Sequence, residues 1–288
     1  SQTEADLVWK LFHNYNSVAR PVINRRGPVV VSLDYQLFSM ASIVSHDSVM
    51  HWNDENLAWN ESEFDNISRI SVPAVNVWMP DVSIKNGPER IIHVLDNTSN
   101  DMVTITSDGE VYFNLLRETT TMCNLSMAYF PFDKQTCEIN MDSFTYTTKQ
   151  VELKSNATKI TLSNSKQHGQ WHIIDTEVET NIFFQRNYSE VSFILYLKRD
   201  PQFYFTYLIY PCIVSSLSAL MVFLNPFDSK ESINFSITVL LSFHFFLTTI
   251  FNVLPKSETP YLTLYVIFVM FLASFSLIST ILILTMHY

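Results

Sequence analysis

Residues 123–137 read CNLSMAYFPFDKQTC, in which two cysteines enclose thirteen residues and the cluster FPFD lies near the middle. The chain has 288 residues and only three cysteines, so two of the three bracket this short stretch. A disulfide between Cys123 and Cys137 would close a ring worth about 3 kcal/mol by restricting the unfolded chain. It would hold the exposed apolar tip from Tyr129 to Phe132 in one shape; a stapled turn without any further role is the alternative.

The chain changes character at about residue 201, after which Leu, Ile, Val, Phe and Ser dominate. Three stretches of this part contain no Lys, Arg, Asp or Glu. Each is long enough as a helix to cross about 30 Å of hydrocarbon, which takes about 20 residues. We therefore predict a membrane domain at 201–288, with helices at about 203–225, 232–254 and 259–287, over the alternative of buried helices in a soluble core.

Residues 1–200 carry nearly all the charge and predict one domain of short strands. Apolar residues alternate along Val29–Leu37, as in a half-buried strand, and similar runs occur further on. Those runs are Met102–Thr106, Val111–Leu115 and Val191–Leu197. Only Glu4–Tyr15 has a helical pattern. The predicted fold is an all-β antiparallel sandwich followed by an α-helical transmembrane bundle.

The same N-terminal part contains six Asn-x-Ser/Thr triplets, which are acceptors for glycosylation. Together with a disulfide they indicate a secretory, oxidising compartment. There is no signal peptide, so we expect a mature form. The triplets begin at Asn60, Asn66, Asn97, Asn124, Asn156 and Asn187.

One face of the second apolar segment is polar at both ends and apolar at its centre. Its residues are spaced three and four apart, so that they share one side of a helix. Glu, Asn and Thr would not face lipid, and this side is expected to line water or to pack against protein. The residues are Glu231, Asn234, Thr238, Leu241, Phe245, Thr248 and Asn252.

An enzyme is not expected, because the chain lacks a HExxH motif and a Gly-rich phosphate loop and has only four glycines. His168 and His172 have the spacing of a metal pair, but two surface histidines without a third ligand do not predict a zinc site. No cofactor and no metal are predicted, and nothing in the sequence predicts nucleic-acid binding.

Several motifs resemble those of the pentameric Cys-loop ligand-gated ion channels, and they extend along the whole chain. The stapled loop with FPFD resembles the signature loop of that family, and the sequence near the pore segment resembles the middle of its pore helix. The further motifs are Trp52-x-Asp54-x-x-Leu57-x-Trp59, Trp78-Met-Pro-Asp81, Arg199-Asp-Pro201, Tyr210-Pro-Cys212 and Ile237-Thr-Val-Leu-Leu-Ser242.

The resemblance implies an extracellular β-sandwich, a small-molecule agonist site between neighbouring subunits, and a pore lined by the second helix of five subunits. It implies a homopentamer or heteropentamer in the plasma membrane and a fourth helix, which we expect beyond Tyr288. Five copies of Glu231 would form a carboxylate ring that favours permeant cations, and Leu241 would form an apolar girdle. Above it, Phe245 would form a second girdle, unless the helix rotates and Phe245 packs against a neighbouring helix.

The resemblance also implies that the stapled loop transmits agonist binding to the gate. The residues expected to do so are Phe130, Pro131, Phe132, Asp133 and Arg199. Of these, Asp133 and Arg199 are candidates for a charge-assisted hydrogen bond.

At the agonist site the chain departs from nicotinic acetylcholine receptors, whose aromatic box holds a quaternary ammonium. Phe144, Lys85 and Asp47 stand where the family has two aromatic residues and a complementary tryptophan, whereas the position of Tyr188 is kept. A lysine here would repel acetylcholine, so the sequence predicts a bulkier agonist with an anionic or polar group. The predicted ligand set comprises Phe144, Tyr188, Phe183, Phe184, Lys85, Asp47, Tyr112, Asn114 and Trp171. A non-conducting accessory subunit is the alternative function.

Overall fold

The computed structural model describes residues 2–23, 27–40, 44–87, 92–93, 101–119, 121–162, 170–183, 187–221, 230–253 and 258–287. The chain begins with helix α1, Gln2–Phe12, where a helix is predicted. The strands follow as β1 Val29–Met40, β2 Val44–Asn53, β3 Arg69–Pro73, β4 Val82–Ile84, β5 Ile92–His93, β6 Met102–Thr106, β7 Glu110–Thr119, β8 Lys134–Ser143, β9 Val151–Lys154, β10 Thr161–Leu162, β11 Trp171–Phe183 and β12 Tyr188–Arg199.

These strands form two sheets. In the first, the order is β10-β1-β2-β7-β6-β3, with β9 also paired to β1, and in the second it is β11-β12-β8-β4-β5. The pairs β1–β2, β2–β7 and β6–β7 are antiparallel, as predicted. Strand β1 differs, because it pairs in parallel with both β9 and β10. The sandwich is therefore mixed rather than purely antiparallel.

The alternation predicted along β1 decides which of its side chains enter the core. Val29, Val31, Leu33, Tyr35 and Leu37 are all buried, with at most 3% of each side chain exposed. Because successive side chains of a strand point to opposite faces, this set packs into the core, while Val30, Asp34 and Gln36 on the other face are at least partly exposed. The strand prediction for this stretch is confirmed.

The Trp52 and Trp78 motifs meet in the same core. The two indole rings lie edge to face with centroids 6.1 Å apart. The buried Asp54 carboxylate accepts a hydrogen bond from the Tyr15 hydroxyl at 2.6 Å, and that hydroxyl accepts one from the backbone N–H of Trp78. Burial raises the pKa of Asp54. Both tryptophans are buried, so these motifs form part of the core of the sandwich.

In the described part of the chain, three apolar helices follow the strands. They are α2 Gln202–Met221, whose Phe205–Ile209 turn is π-helical, α3 Lys230–Val253 and α4 Tyr261–His287. Each is long and apolar enough to cross a membrane. The predicted C-terminal end of the first helix, at 225, lies outside the described residues.

The chain divides into two compact units. The first comprises Ser1–Cys123, Thr136–Gly169 and Ile173–Tyr196, and the second comprises Asn124–Gln135, Gln170–His172 and Leu197–Tyr288. The interior of the stapled loop thus belongs to the same unit as the apolar helices.

Candidate functional site

The predicted disulfide between Cys123 and Cys137 is present. Inside the loop, the Gln135 side chain closes a second ring across the base. Its Nε2 donates to the Ser126 carbonyl at 2.7 Å, and its Oε1 accepts from the Ser126 N–H at 3.0 Å. Since Gln135 is buried, these bonds are shielded from water and fix the shape of the loop.

The tip of the loop is not uniformly exposed, which corrects the expectation for Tyr129–Phe132. Phe130 and Pro131 are buried, whereas Tyr129 and Phe132 are 70% and 58% exposed. The Phe130 ring meets the Tyr204 ring of α2 edge to face at 4.8 Å. It joins an apolar cluster with residues of all three helices, which are Leu208, Cys212, Val239, Phe243, Ile250 and Val266. The loop is therefore part of the helical core.

The predicted bond between Asp133 and Arg199 is also present. The Arg199 Nε donates to Asp133 Oδ1 at 2.8 Å, and a terminal nitrogen donates to Oδ2 at 3.2 Å. Both side chains are almost fully buried, with 2% and 7% exposed. A guanidinium matches a carboxylate in this two-bond geometry, which gives the pair both strength and direction.

Three aromatic rings surround the Arg199 guanidinium. Trp171 lies at 4.1 Å, Phe130 at 5.2 Å and Tyr204 at 5.7 Å from the guanidinium carbon to each centroid. Trp171 is predicted to be a ligand residue, but in the structure its ring lies on the Arg199 guanidinium instead. The indole covers the buried cation at the base of the loop, and a planar guanidinium favours such stacking.

A second contact joins the loop to the residues that precede α4. Glu258 Oε2 accepts hydrogen bonds from the Met127 N–H at 3.1 Å and from the Ser126 hydroxyl at 3.2 Å. The Tyr261 N–H donates to the Ala128 carbonyl at 3.0 Å. The stapled loop is therefore bonded at two places to the segments that precede the apolar helices, to Arg199 before α2 and to Glu258 before α4.

The predicted polar and apolar face of α3 is the exposed face of that helix. Asn234, Thr238, Leu241, Phe245, Thr248 and Asn252 are all exposed, whereas the side chain of Glu231 lies outside the described residues. Leu241 is 63% and Phe245 69% exposed. The opposite face is buried within the chain and consists of Ser236, Val239, Phe243 and Ile250. His244 is exposed beside this face, although the sequence analysis does not single it out.

The two threonines of this face donate to their own helix. Thr238 Oγ1 bonds to the Asn234 carbonyl and Thr248 Oγ1 to the His244 carbonyl, each at 2.9 Å. A hydroxyl whose proton is used in this way presents only its acceptor lone pairs to the outside. Acceptor oxygens are the groups that replace the water of a cation.

The predicted ligand residues Lys85, Phe183 and Tyr188 meet in the first unit. The rings of Phe183 and Tyr188 stack at 5.2 Å, and the Lys85 ammonium lies 5.4 Å and 5.3 Å from their centroids. Lys85 Nζ also donates to the Tyr188 hydroxyl at 3.2 Å and to Glu190 Oε2. Burial of the ammonium lowers its pKa, but the hydrogen bonds to Glu190 and Tyr188 outweigh this, and the pKa of Lys85 is raised.

Glu190 is absent from the predicted ligand set, although the sequence contains a signal for it. Glu190 follows Tyr188 by two positions on β12, so the two share a face of the strand. Its side chain is 6% exposed and neutralises Lys85. The expectation of an unpaired positive charge at this site is therefore wrong. Because Lys85 is neutralised, electrostatics no longer favour an anionic agonist.

A further carboxylate makes the surroundings of Lys85 acidic. Asp142 accepts a hydrogen bond from the Ser83 hydroxyl at 3.0 Å. Burial raises the pKa of Asp142, and the charges of Glu190 and Asp81 add to this effect. The Lys85 ammonium thus has two carboxylates near it, those of Glu190 and Asp142.

The remaining predicted ligand residues lie elsewhere or are not described. Phe144 follows β8 and is 65% exposed, and it makes no ring contact within the described part of the chain. Tyr112 and the exposed Asn114 lie on β7, where the Tyr112 ring stacks on His51 at 5.5 Å. The side chain of Asp47 and all of Phe184 lie outside the described residues.

Five of the predicted glycosylation sites are exposed, as acceptors must be. They are Asn60, Asn66, Asn124, Asn156 and Asn187. The sixth, Asn97, lies outside the described residues.

Sequence comparisons give the family of this chain. Residues 4–201 match the family described as neurotransmitter-gated ion-channel ligand binding domain. Similar curated proteins include the neuronal acetylcholine receptor subunit alpha-3 of Carassius auratus, 30% identical over 303 residues, and subunit alpha-6 of Homo sapiens, 29% identical over 306 residues. These alignments cover 100% and 99% of this chain but 58% and 60% of the two relatives.

The family match extends over more than half of the chain, and three membrane-spanning candidates follow the matched region. A multi-pass chain of the plasma membrane with an extracellular N-terminal domain, as predicted, agrees with this arrangement. Such receptors are not enzymes. With its disulfide loop, β-sheets and apolar helices in the expected order, the chain belongs to the family of neurotransmitter-gated, Cys-loop ion-channel subunits.

Proposed function

We propose that this chain is a subunit of a pentameric channel, in which an agonist bound between subunits opens a cation-selective pore. Residues 1–200 form the extracellular domain and 201–288 the first part of the membrane domain. The observation that carries the proposal is the face of α3 from Asn234 to Asn252. Its polar ends and apolar centre are left exposed, while the opposite face packs within the chain.

Cation selectivity follows from the groups that this face would present to the pore. Five Glu231 carboxylates form a ring at one mouth. Thr238 and Thr248 present acceptor oxygens, because their protons bond to the helix backbone. A net charge of −10 for each chain concentrates cations near the entrance, over a distance of about 8 Å at physiological salt.

The gate consists of two apolar rings one helical turn apart. Leu241 and Phe245 are 63% and 69% exposed, so the described residues leave most of both side chains uncovered. An ion that crosses two such rings sheds water without polar replacement, and the closed state is strongly favoured.

The stapled loop transmits the effect of agonist binding to the gate. Phe130 packs into the cluster that contains Val239 and Phe243 of α3, and Arg199 and Glu258 hold the loop from two sides. A shift of the loop therefore moves side chains that touch the pore helix. The agonist is a small molecule other than acetylcholine, although the relatives' names refer to acetylcholine.

The test is expression of the full-length protein in oocytes, with current recorded at a holding potential. Phe245→Ala and Leu241→Ser shorten the dewetted zone, so either variant should increase current or open the pore spontaneously. Glu231→Gln, in the Phe245→Ala background, should shift the reversal potential away from that of a cation channel. Phe271→Ala on α4, which is equally exposed at 68%, is the matched control and should leave current unchanged.

Unchanged conductance and open probability in Phe245→Ala, in a protein that conducts, would refute the double gate. A protein that reaches the surface with its partners but stays silent in every α3 variant would identify it as an accessory, non-conducting subunit instead.

A further inference from the structure

The cluster around Lys85 has the composition of a receptor for an ammonium group. Two stacked rings, Phe183 and Tyr188, lie within 5.4 Å of the same nitrogen. This is the range in which the face of an aromatic ring attracts a cation. The Glu190 carboxylate completes the enclosure and accepts a hydrogen bond from that nitrogen.

The enclosure is built into rigid elements. Phe183 ends β11, and Tyr188 and Glu190 belong to β12 of the same sheet. Lys85 follows β4, and its N–H donates to the Asn140 carbonyl of β8 at 2.9 Å. Glu190 is nearly fully buried, so its charge requires a cation at this position. The lysine side chain, 42% exposed, can leave into water without moving a strand.

We infer that the Lys85 ammonium is a built-in occupant of the aromatic cage formed by Phe183, Tyr188 and Glu190. By occupying the cage, it excludes small quaternary ammonium ions and so determines the specificity of the site. The inference rests on the proposed agonist site and names the class of ligand that the site rejects. Lys85 excludes these ions by occupying their place and not by charge repulsion, because Glu190 neutralises its charge. Without the lysine, the two rings and the carboxylate remain and need a new cation.

The two rings and the carboxylate determine the chemistry of the ion that would replace the lysine. Tetramethylammonium has no N–H group, so it binds through attraction to the ring faces and to the carboxylate charge. It needs no hydrogen-bond partner, and Glu190 supplies the negative charge behind the rings. An acidic neighbour, Asp142, adds to the attraction.

The test measures tetramethylammonium binding to the purified full-length protein by calorimetry. Lys85→Ala should bind this ion at least tenfold more tightly than the unaltered protein. Lys85→Ser provides the same opening with a polar residue, in case the alanine variant fails to fold. Lys85→Arg, which keeps a cation in place, should bind no better than the unaltered protein. Tetramethylammonium should also raise the Tm of Lys85→Ala more than that of the unaltered protein.

Two controls locate the effect. Lys159→Ala removes a lysine whose pair with Asp175 at 2.6 Å is exposed, and it should leave binding unchanged. Adding Tyr188→Leu to Lys85→Ala should abolish the gain, because one wall of the cage is lost. Equal affinity of Lys85→Ala and Lys159→Ala, or a gain that survives Tyr188→Leu, would overturn the inference. The binding measurement does not depend on conduction, so a negative result would not contradict the channel proposal. Conversely, silent α3 variants would not contradict a positive binding result.

Discussion

The Arg199–Asp133 and Lys85–Glu190 ion pairs both lie against aromatic rings, yet they differ in their access to water. Arg199 and Asp133, at the base of the stapled loop, are 7% and 2% exposed and joined by two hydrogen bonds. Lys85 and Glu190, in the first unit, are 42% and 6% exposed. In the first pair both charges are buried, whereas in the second only the carboxylate is.

The difference in burial separates a structural role from an exchangeable one. Removing one partner of a buried pair leaves an uncompensated charge, which is strongly destabilising. A cation that solvent reaches can be replaced by water or by another cation at a smaller cost. We therefore expect Arg199 to fix the loop permanently and Lys85 to be replaceable.

Breaking the buried pair should have the largest effect. Arg199→Met leaves the Asp133 carboxylate buried without its partner, and should lower the free energy of unfolding by about 3–5 kcal/mol. Surface expression of the full-length protein, measured by labelling intact cells, should be lost. Asp133→Asn should have a similar effect, and Lys198→Met, one position before Arg199 and exposed, is the control. Normal surface levels of Arg199→Met would contradict a structural role for the pair.

Opening the covalent ring should come next. Cys123→Ser removes the disulfide that restricts the unfolded loop, a loss of about 2–5 kcal/mol. Surface expression or assembly should fail, as for Arg199→Met, because both changes release the same loop. If the serine variant formed normal surface pentamers, the ion pair and the Gln135 bonds alone would suffice to hold the loop.

Removing the half-exposed Lys85–Glu190 pair should have the smallest effect on stability, and this effect should depend on pH. The pKa of Lys85 is raised above its ordinary 10.5, so the pair's contribution is fully present below that pH. It is lost as the pH rises through the raised value. The Tm of the unaltered protein should therefore fall more steeply above pH 10.5 than the Tm of Lys85→Ala. Parallel declines would show that Glu190 gains nothing from the lysine.

Several features of the candidate site follow from sequence alone because their causes are local. Two cysteines bracket one loop, and they are bonded. The three- and four-residue spacing on α3 places Leu241 and Phe245 on one side of a helix, and that side is exposed. Alternation along β1 fixes its buried face. In each case the geometry of a single element determines the result.

Other features depend on contacts between distant segments and were misjudged. Trp171 is an aromatic residue near ligand positions in sequence, but folding places it on Arg199. Phe130 is apolar and near a turn, a pattern that fits an exposed tip equally well until Tyr204 is known to meet it. The parallel pairing of β1 with β9 has no signature within either strand.

The sequence by itself determined the division into a strand-rich part and a part with membrane helices, the disulfide, the family and the residues that share one face of α3, because periodicity and motif spacing carry that information. The tertiary structure decided the charge of the predicted ligand cluster around Lys85. A lysine in a sequence is a cation, and only the position of Glu190, 105 residues away, makes it one half of a neutral pair under two rings. Electrostatic energy depends on distance and burial in space, and neither quantity is written in the order of the residues.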